Sequence, residues 1–207
     1  MSILDTIATQ RRLDVAEAKM QMPLSKLQSM ITTIDSKHGP PLHLHDIFLG
    51  NNTLTTTTTP PIPTPVNPIT LAAEFKRASP SKGDIALHVD VAVQVAAYVQ
   101  AGASVVSILT EPKWFKGSLQ DMLLAREAVH QVATRKMEKS TEKSSENSSS
   151  SSSSSSKEKT SHRAAVLRKD FVVDIYQLYE ARGKFFSIMY SFLLVNFSLC
   201  ELLSSYN

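Results

Sequence analysis

Glu74 and Lys76 close a short apolar, β-prone run, Ile69-Thr-Leu-Ala-Ala73, and precede the turn-forming Ser79-Pro-Ser-Lys-Gly83. Successive side chains on a strand alternate faces, so an acid and a base two residues apart point the same way, about 6–7 Å from each other. An unpaired charge is costly to bury, which makes an ordinary buried strand end a poor place for both. The pair reads instead as the rim of an acid/base site. A third lysine, Lys169, lies in Val166-Leu-Arg-Lys-Asp-Phe171, where alternation puts it on one face with Leu167 and Phe171. Taken alone, a strand lysine is usually snorkelling or salt-bridged. His43 and His45 have no third ligand at a convincing spacing and read as solvated rather than metal-binding.

Three strand–helix units are expected to position these groups. The periodicity predicts strands at 69–76, 104–110 and 165–171, followed by helices at 90–101, 118–132 and 174–182. Such alternation implies a parallel sheet with right-handed crossovers, its strands adjacent in that order. Ahead of them, residues 2–20 form a helix with Ile3, Leu4, Ile7, Leu13, Ala16 and Met20 on a rough apolar stripe. Pro23 interrupts it, and Leu24–Ile34 form a second short helix.

Two low-complexity insertions break the pattern. Segment 51–66 holds the run Thr55–Thr59 and four of the five prolines that follow it by position 68, and it is expected to be irregular. Segment 136–161 holds nine consecutive serines, 148–156. It has too little apolar surface to offset its ordering entropy and is expected to be disordered.

Length and charge narrow the function. With 207 residues, one domain is the natural expectation. The net charge of +3 comes from Thr134–Arg163, where seven Lys or Arg face four Glu. A nucleic-acid groove needs basic residues clustered on a folded face with aromatics, so this solvated linker excludes that class. The lone Cys200 rules out an internal disulfide framework and fits a reducing, cytoplasmic setting. No secretory signal is visible in residues 1–20.

Ala73-Glu-Phe-Lys-Arg-Ala-Ser-Pro-Ser-Lys-Gly83 resembles the first strand and loop of indole-3-glycerol-phosphate synthases. Two further blocks agree in order. One is Ala101-Gly-Ala-Ser-Val-Val-Ser-Ile-Leu-Thr-Glu-Pro-Lys-Trp-Phe-Lys-Gly-Ser118; the other is Val166–Phe171 with Asp174-Ile-Tyr-Gln-Leu-Tyr-Glu-Ala-Arg182. The opening Ile3–Val15 is similar to the family's N-terminal extension, which packs beside the active site. The resemblance covers residues 1–182. It implies an α/β fold of the (β/α)8 TIM-barrel type, here with three recognisable βα units, and a cytoplasmic lyase of tryptophan biosynthesis.

The implied reaction closes the ring of 1-(2-carboxyphenylamino)-1-deoxyribulose 5-phosphate, losing carbon dioxide and water to give indole-3-glycerol phosphate. The resemblance makes Lys169 the general acid at the ketone oxygen. It gives Lys76 the substrate carboxylate and a share in proton transfer, and Glu74 the dehydration. A lysine acts as an acid near neutral pH only if burial or neighbouring cations lower its pKa. Ser79 matches the serine of the substrate-side loop, and Phe115 and Phe171 match the walls of the anthranilate ring. Lys82 and Lys116 read as surface lysines. No cofactor or metal is implied. The implied partners are a phosphorylated small molecule and, within a longer product, other tryptophan-pathway domains.

The family's later acid/base glutamate, its asparagine and its phosphate cradle have no match in this sequence. A barrel of this kind takes about 250 residues. The chain is therefore expected to be an N-terminal portion, inactive by itself, with association with a complementary barrel piece as the alternative function. Residues 183–207 do not match the family. Their uncharged stretch Phe185–Cys200 is short of the roughly 20 residues a membrane span needs. Gly183-Lys-Phe-Phe186 can be encoded with a splice-donor pattern, so an intron origin is expected for this tail in preference to a membrane anchor.

Overall fold

The computed structural model describes residues 2–38, 70–145 and 164–185. Helix α1 spans Ile3–Gln21 and α2 spans Leu24–His38. Strand β1 (Ala72–Phe75) leads into a small hairpin of β2 (Ala78–Ser79) and β3 (Gly83–Asp84). Then follow α3 (Val91–Gln100), β4 (Val105–Leu109), α4 (Leu119–Ser145), β5 (Ala165–Lys169) and α5 (Tyr176–Phe185).

The three longer strands form one parallel sheet in the order β1-β4-β5, as the βα alternation predicts. The register pairs Glu74 with Ser107, Ser107 with Leu167, and Leu109 with Lys169. The other side of the sheet is covered. Phe75, Val106, Ile108 and Val166 pack there against Val91, Val95 and Val99 of α3 and Met122, Ala125 and Val129 of α4. Valine and isoleucine suit the strands because branched side chains fit a pleated, buried surface.

Local chemistry sets the helix starts. Ser2 and Asp5 form a reciprocal capping box at α1. The Asp90 carboxylate accepts the N–H groups of Ala92 and Val93 at α3, and the Ser118 hydroxyl accepts that of Asp121 at α4. Helices α1 and α2 join the rest through Tyr176. It is fully buried against Val15 and Leu27, and its hydroxyl lies 3.0 and 2.9 Å from the carbonyls of Ala18 and Met22.

Several expected boundaries move. Helix α4 continues to Ser145, ten residues into the segment expected to be disordered. An existing helix propagates readily through Lys, Met and Glu, which are good helix formers. Strand β1 ends at Phe75, so Lys76 lies just past it, and β5 ends at Lys169, before Phe171. The turn expected at 79–83 is present as the tip of a small hairpin, in which Ala78 and Ser79 pair with Asp84 and Gly83, the latter at φ +68°. Helix α5 runs through Gly183 to Phe185, beyond the end of the family resemblance. A Cβ on Gly183 would sit 3.2 Å from Leu27, so glycine permits the close α2–α5 approach. His43, His45, segment 51–66, the serine run and residues 186–207 lie outside the described residues. Among the described residues, no helix is long and apolar enough to cross a membrane.

Candidate active site

Glu74 and Lys169 come from the two outer strands and meet across the central one. The Lys169 ammonium donates to Glu74 Oε2, and Lys76 Nζ lies 2.7 Å from Glu74 Oε1. One carboxylate thus bridges two lysines, one just past β1 and one at the end of β5. The central strand contributes only Ser107 to the row holding Glu74, and a small residue leaves the space that the pair occupies. The three side chains are 29–33% exposed, so solvent and small molecules can reach them. Burial alone would raise the Glu74 pKa. Hydrogen bonds and charge from Lys169 and Lys76 outweigh that, holding it below the ordinary carboxylate value. Glu74 is therefore a carboxylate at neutral pH.

The aromatic pair stands at the same end of the sheet. The rings of Phe115 and Phe171 are 6.0 Å apart and tilted by 39°. The Phe115 loop is held from inside by Glu111, whose fully buried carboxylate accepts the N–H groups of Lys113 (3.0 Å), Trp114 (2.8 Å) and Phe115 (2.9 Å). The loop then folds back so tightly that a Cβ on Gly117 would fall 2.0 Å from the Leu109 carbonyl oxygen. Ala78 N–H donates to the Phe115 carbonyl at 3.1 Å, tying this loop to the hairpin. Ser79 lies on that hairpin, its hydroxyl accepting the Lys82 N–H at 3.2 Å. Arg77 fixes the hairpin's base with a two-pronged contact to Asp121 (2.9 and 2.7 Å) and a bond to the Leu87 carbonyl. Lys116 pairs with Asp84 at 2.5 Å in solvent, as a surface lysine should.

Directly behind Lys169 is a buried charge network. Asp170 accepts from Arg11 Nε (3.0 Å) and Nη2 (2.8 Å), Arg168 Nη2 (2.9 Å), Thr110 Oγ1 (2.9 Å) and the Phe171 N–H (2.8 Å). Arg168 also reaches Glu180 and the Gln177 carbonyl. Burial disfavours the charge on Arg11, but Asp170 and Asp14 outweigh it and raise its pKa. The bond from Phe171 N–H to Asp170 replaces a sheet bond, which is why the strand stops at Lys169 and Phe171 leaves its line.

Glu111, Asp170 and Arg11 escape sequence reading. A faint signal exists for Glu111: an acid just before Pro112 suits a side chain that accepts N–H groups from a following turn. For Asp170, an acid at the end of an apolar strand implies a buried partner, but nothing in the sequence points to Arg11, 159 residues away.

A family model described as "Indole-3-glycerol phosphate synthase" matches residues 4–139. The "Multifunctional tryptophan biosynthesis protein" of Schizosaccharomyces pombe is 38% identical over 182 residues, covering 87% of this chain and 18% of that protein. The protein of the same name from Phanerodontia chrysosporium is 38% identical over 181 residues, again covering 87% and 18%. The "Indole-3-glycerol phosphate synthase" of Bacillus cereus is 62% identical over 58 residues, 28% of this chain and 23% of that protein. The chain spans 18% of the length of the two multifunctional relatives.

Proposed function

This chain belongs to the indole-3-glycerol phosphate synthase family, and we propose that it supplies the acid/base half of the family's ring-closing decarboxylation. The observation that carries the proposal is the contact of Lys169 and Lys76 with a single carboxylate, Glu74, at one end of a parallel sheet. In this reading the substrate is 1-(2-carboxyphenylamino)-1-deoxyribulose 5-phosphate. Its ketone oxygen takes the place of Glu74 on Lys169, which donates the proton as the aromatic carbon attacks. Lys76 holds the substrate carboxylate, the group lost as carbon dioxide. Glu74, released from its two lysines and ionised at the start, accepts a proton in the dehydration that completes the indole. Phe115 and Phe171 flank the aromatic ring, and Ser79 contacts the substrate from the hairpin.

The three strands, with helices on one side, fit the first βα units of a (β/α)8 barrel, whose active site lies at the C-terminal strand ends. Glu74, Lys76 and Lys169 all belong to those ends. Residues 1–182 form the family portion and 183–207 a tail of other origin. In a longer product, further tryptophan-pathway domains accompany this one, as the names of the multifunctional relatives suggest.

The test is formation of indole-3-glycerol phosphate, followed by indole fluorescence. It compares the chain alone with the chain joined after Arg182 to the remaining strands of a relative. The joined protein is expected to turn over and the chain alone to be inert, because transition-state stabilisation needs groups held by a complete scaffold. A joined, folded protein that makes no indole product would overturn the functional reading.

A further inference from the structure

We propose that Arg11 and Asp170 form a positioning pair through which the N-terminal helix holds Lys169 and Phe171 in place. Asp170 lies between these two residues, yet strand alternation turns it to the opposite side of the sheet, where its side chain is fully shielded. It therefore touches no substrate and acts through the backbone. One of its oxygens accepts the Phe171 N–H. The other accepts the Thr110 hydroxyl, and Thr110 in turn donates its own N–H to the Lys169 carbonyl at 2.9 Å. Any shift of the Asp170 carboxylate is thus passed to both neighbours.

The carboxylate is balanced by two guanidiniums. Arg168 comes from the same strand and is shared with Glu180, whereas Arg11 comes from α1 and grips both Asp170 oxygens in a fork. Removing one partner of a buried pair leaves an uncompensated charge, which moves or draws in water. Helix α1 has a second attachment at its far end, where the Tyr176 hydroxyl meets the Ala18 and Met22 carbonyls, so a role of Arg11 at the site can be separated from fastening the helix.

The inference rests on the functional reading for its significance, but its test needs no turnover. The folded 207-residue chain is labelled with trace acetic anhydride, and the rates at Lys169, Lys76 and Lys19 are read by mass spectrometry. Arg11→Ala is expected to raise the Lys169 rate about tenfold, because a displaced strand end loosens its pairing with Glu74. Lys19, which pairs with Asp174 on the far half of α1, should stay within about twofold. Arg11→Lys keeps the charge but loses the fork and should fall between wild type and Arg11→Ala. It decides the question if the alanine variant does not fold. An unchanged Lys169 rate in the folded variants overturns the proposal. So does an equal rise at Lys19, which would make Arg11 an anchor for the helix and nothing more. A Lys169 response in this chain, together with no indole product from the folded protein completed with a relative's remaining strands, would sink the functional reading and leave the pair intact.

Discussion

Alternate residues near the end of β5 enter two different electrostatic environments. On the covered side, Arg168 and Asp170 are buried in a network where each charge meets an opposite charge, and Thr110, Phe171 N–H and the Gln177 carbonyl take further bonds. On the open side, Lys169 and Glu74 face each other a third exposed, with Lys76 as the only other charged group described on that carboxylate. The first arrangement has its bonding capacity filled by protein. The second has protons and lone pairs that a ligand can take over. Charge at a strand end does not distinguish scaffold from site; exposure and spare hydrogen-bonding capacity do.

The sharpest way to break this comparison is to remove a charge from the covered side. Arg168→Met leaves Asp170 and Glu180 short of their common partner and should cost about 3–5 kcal/mol of stability. Urea unfolding measures it, and a loss of under about 1 kcal/mol would mean the network is not filled as described.

A smaller effect is expected from the loop that carries Phe115. Glu111→Ala strands three backbone N–H groups and should cost about 1–3 kcal/mol. Amide exchange at Lys113, Trp114 and Phe115 should quicken while exchange in β4 holds. Gly117→Ala attacks the same loop from its other end, where the added Cβ meets the Leu109 carbonyl. If exchange at those three amides is as slow in Glu111→Ala as in wild type, Glu111 does not shape the aromatic wall.

The smallest effect concerns Glu74 and pH. Its pKa is held below the unfolded value, so its contribution to stability is complete above about pH 5 and is lost as pH falls through the folded pKa. The stability difference between wild type and Glu74→Gln should be flat above that point and shrink in acid. A difference that grows on acidification would contradict the ion pairing.

The strand order and the shared face of Glu74 and Lys76 were legible in the sequence, whereas the direct contact of Lys169 with Glu74 comes from the structure. Period-two alternation fixes which face a side chain occupies, and the two motif blocks lie at ends that a parallel sheet brings together. Phe171 was legible only in part: its neighbour Asp170 ends the strand early, so its place beside Phe115 comes from a local bond and not from alternation. Helix α4 runs past Val132, where the apolar periodicity ends, because helix propensity carries an existing helix onward through Lys136, Met137, Glu138 and Lys139. The Arg11–Asp170 contact could not be read at all. Two charged residues 159 positions apart carry no local pattern, and only the packing of α1 against the strand ends joins them.

The most direct measurement is the turnover of the completed barrel carrying Lys169→Met, taken together with its unfolding free energy. Loss of the acid at the ketone should lower kcat about 10³-fold. Stability should change by less than about 1 kcal/mol, because Lys169 is part of an exposed pair. Turnover near that of wild type in a folded protein would contradict the account and move the chemistry away from the Glu74 cluster.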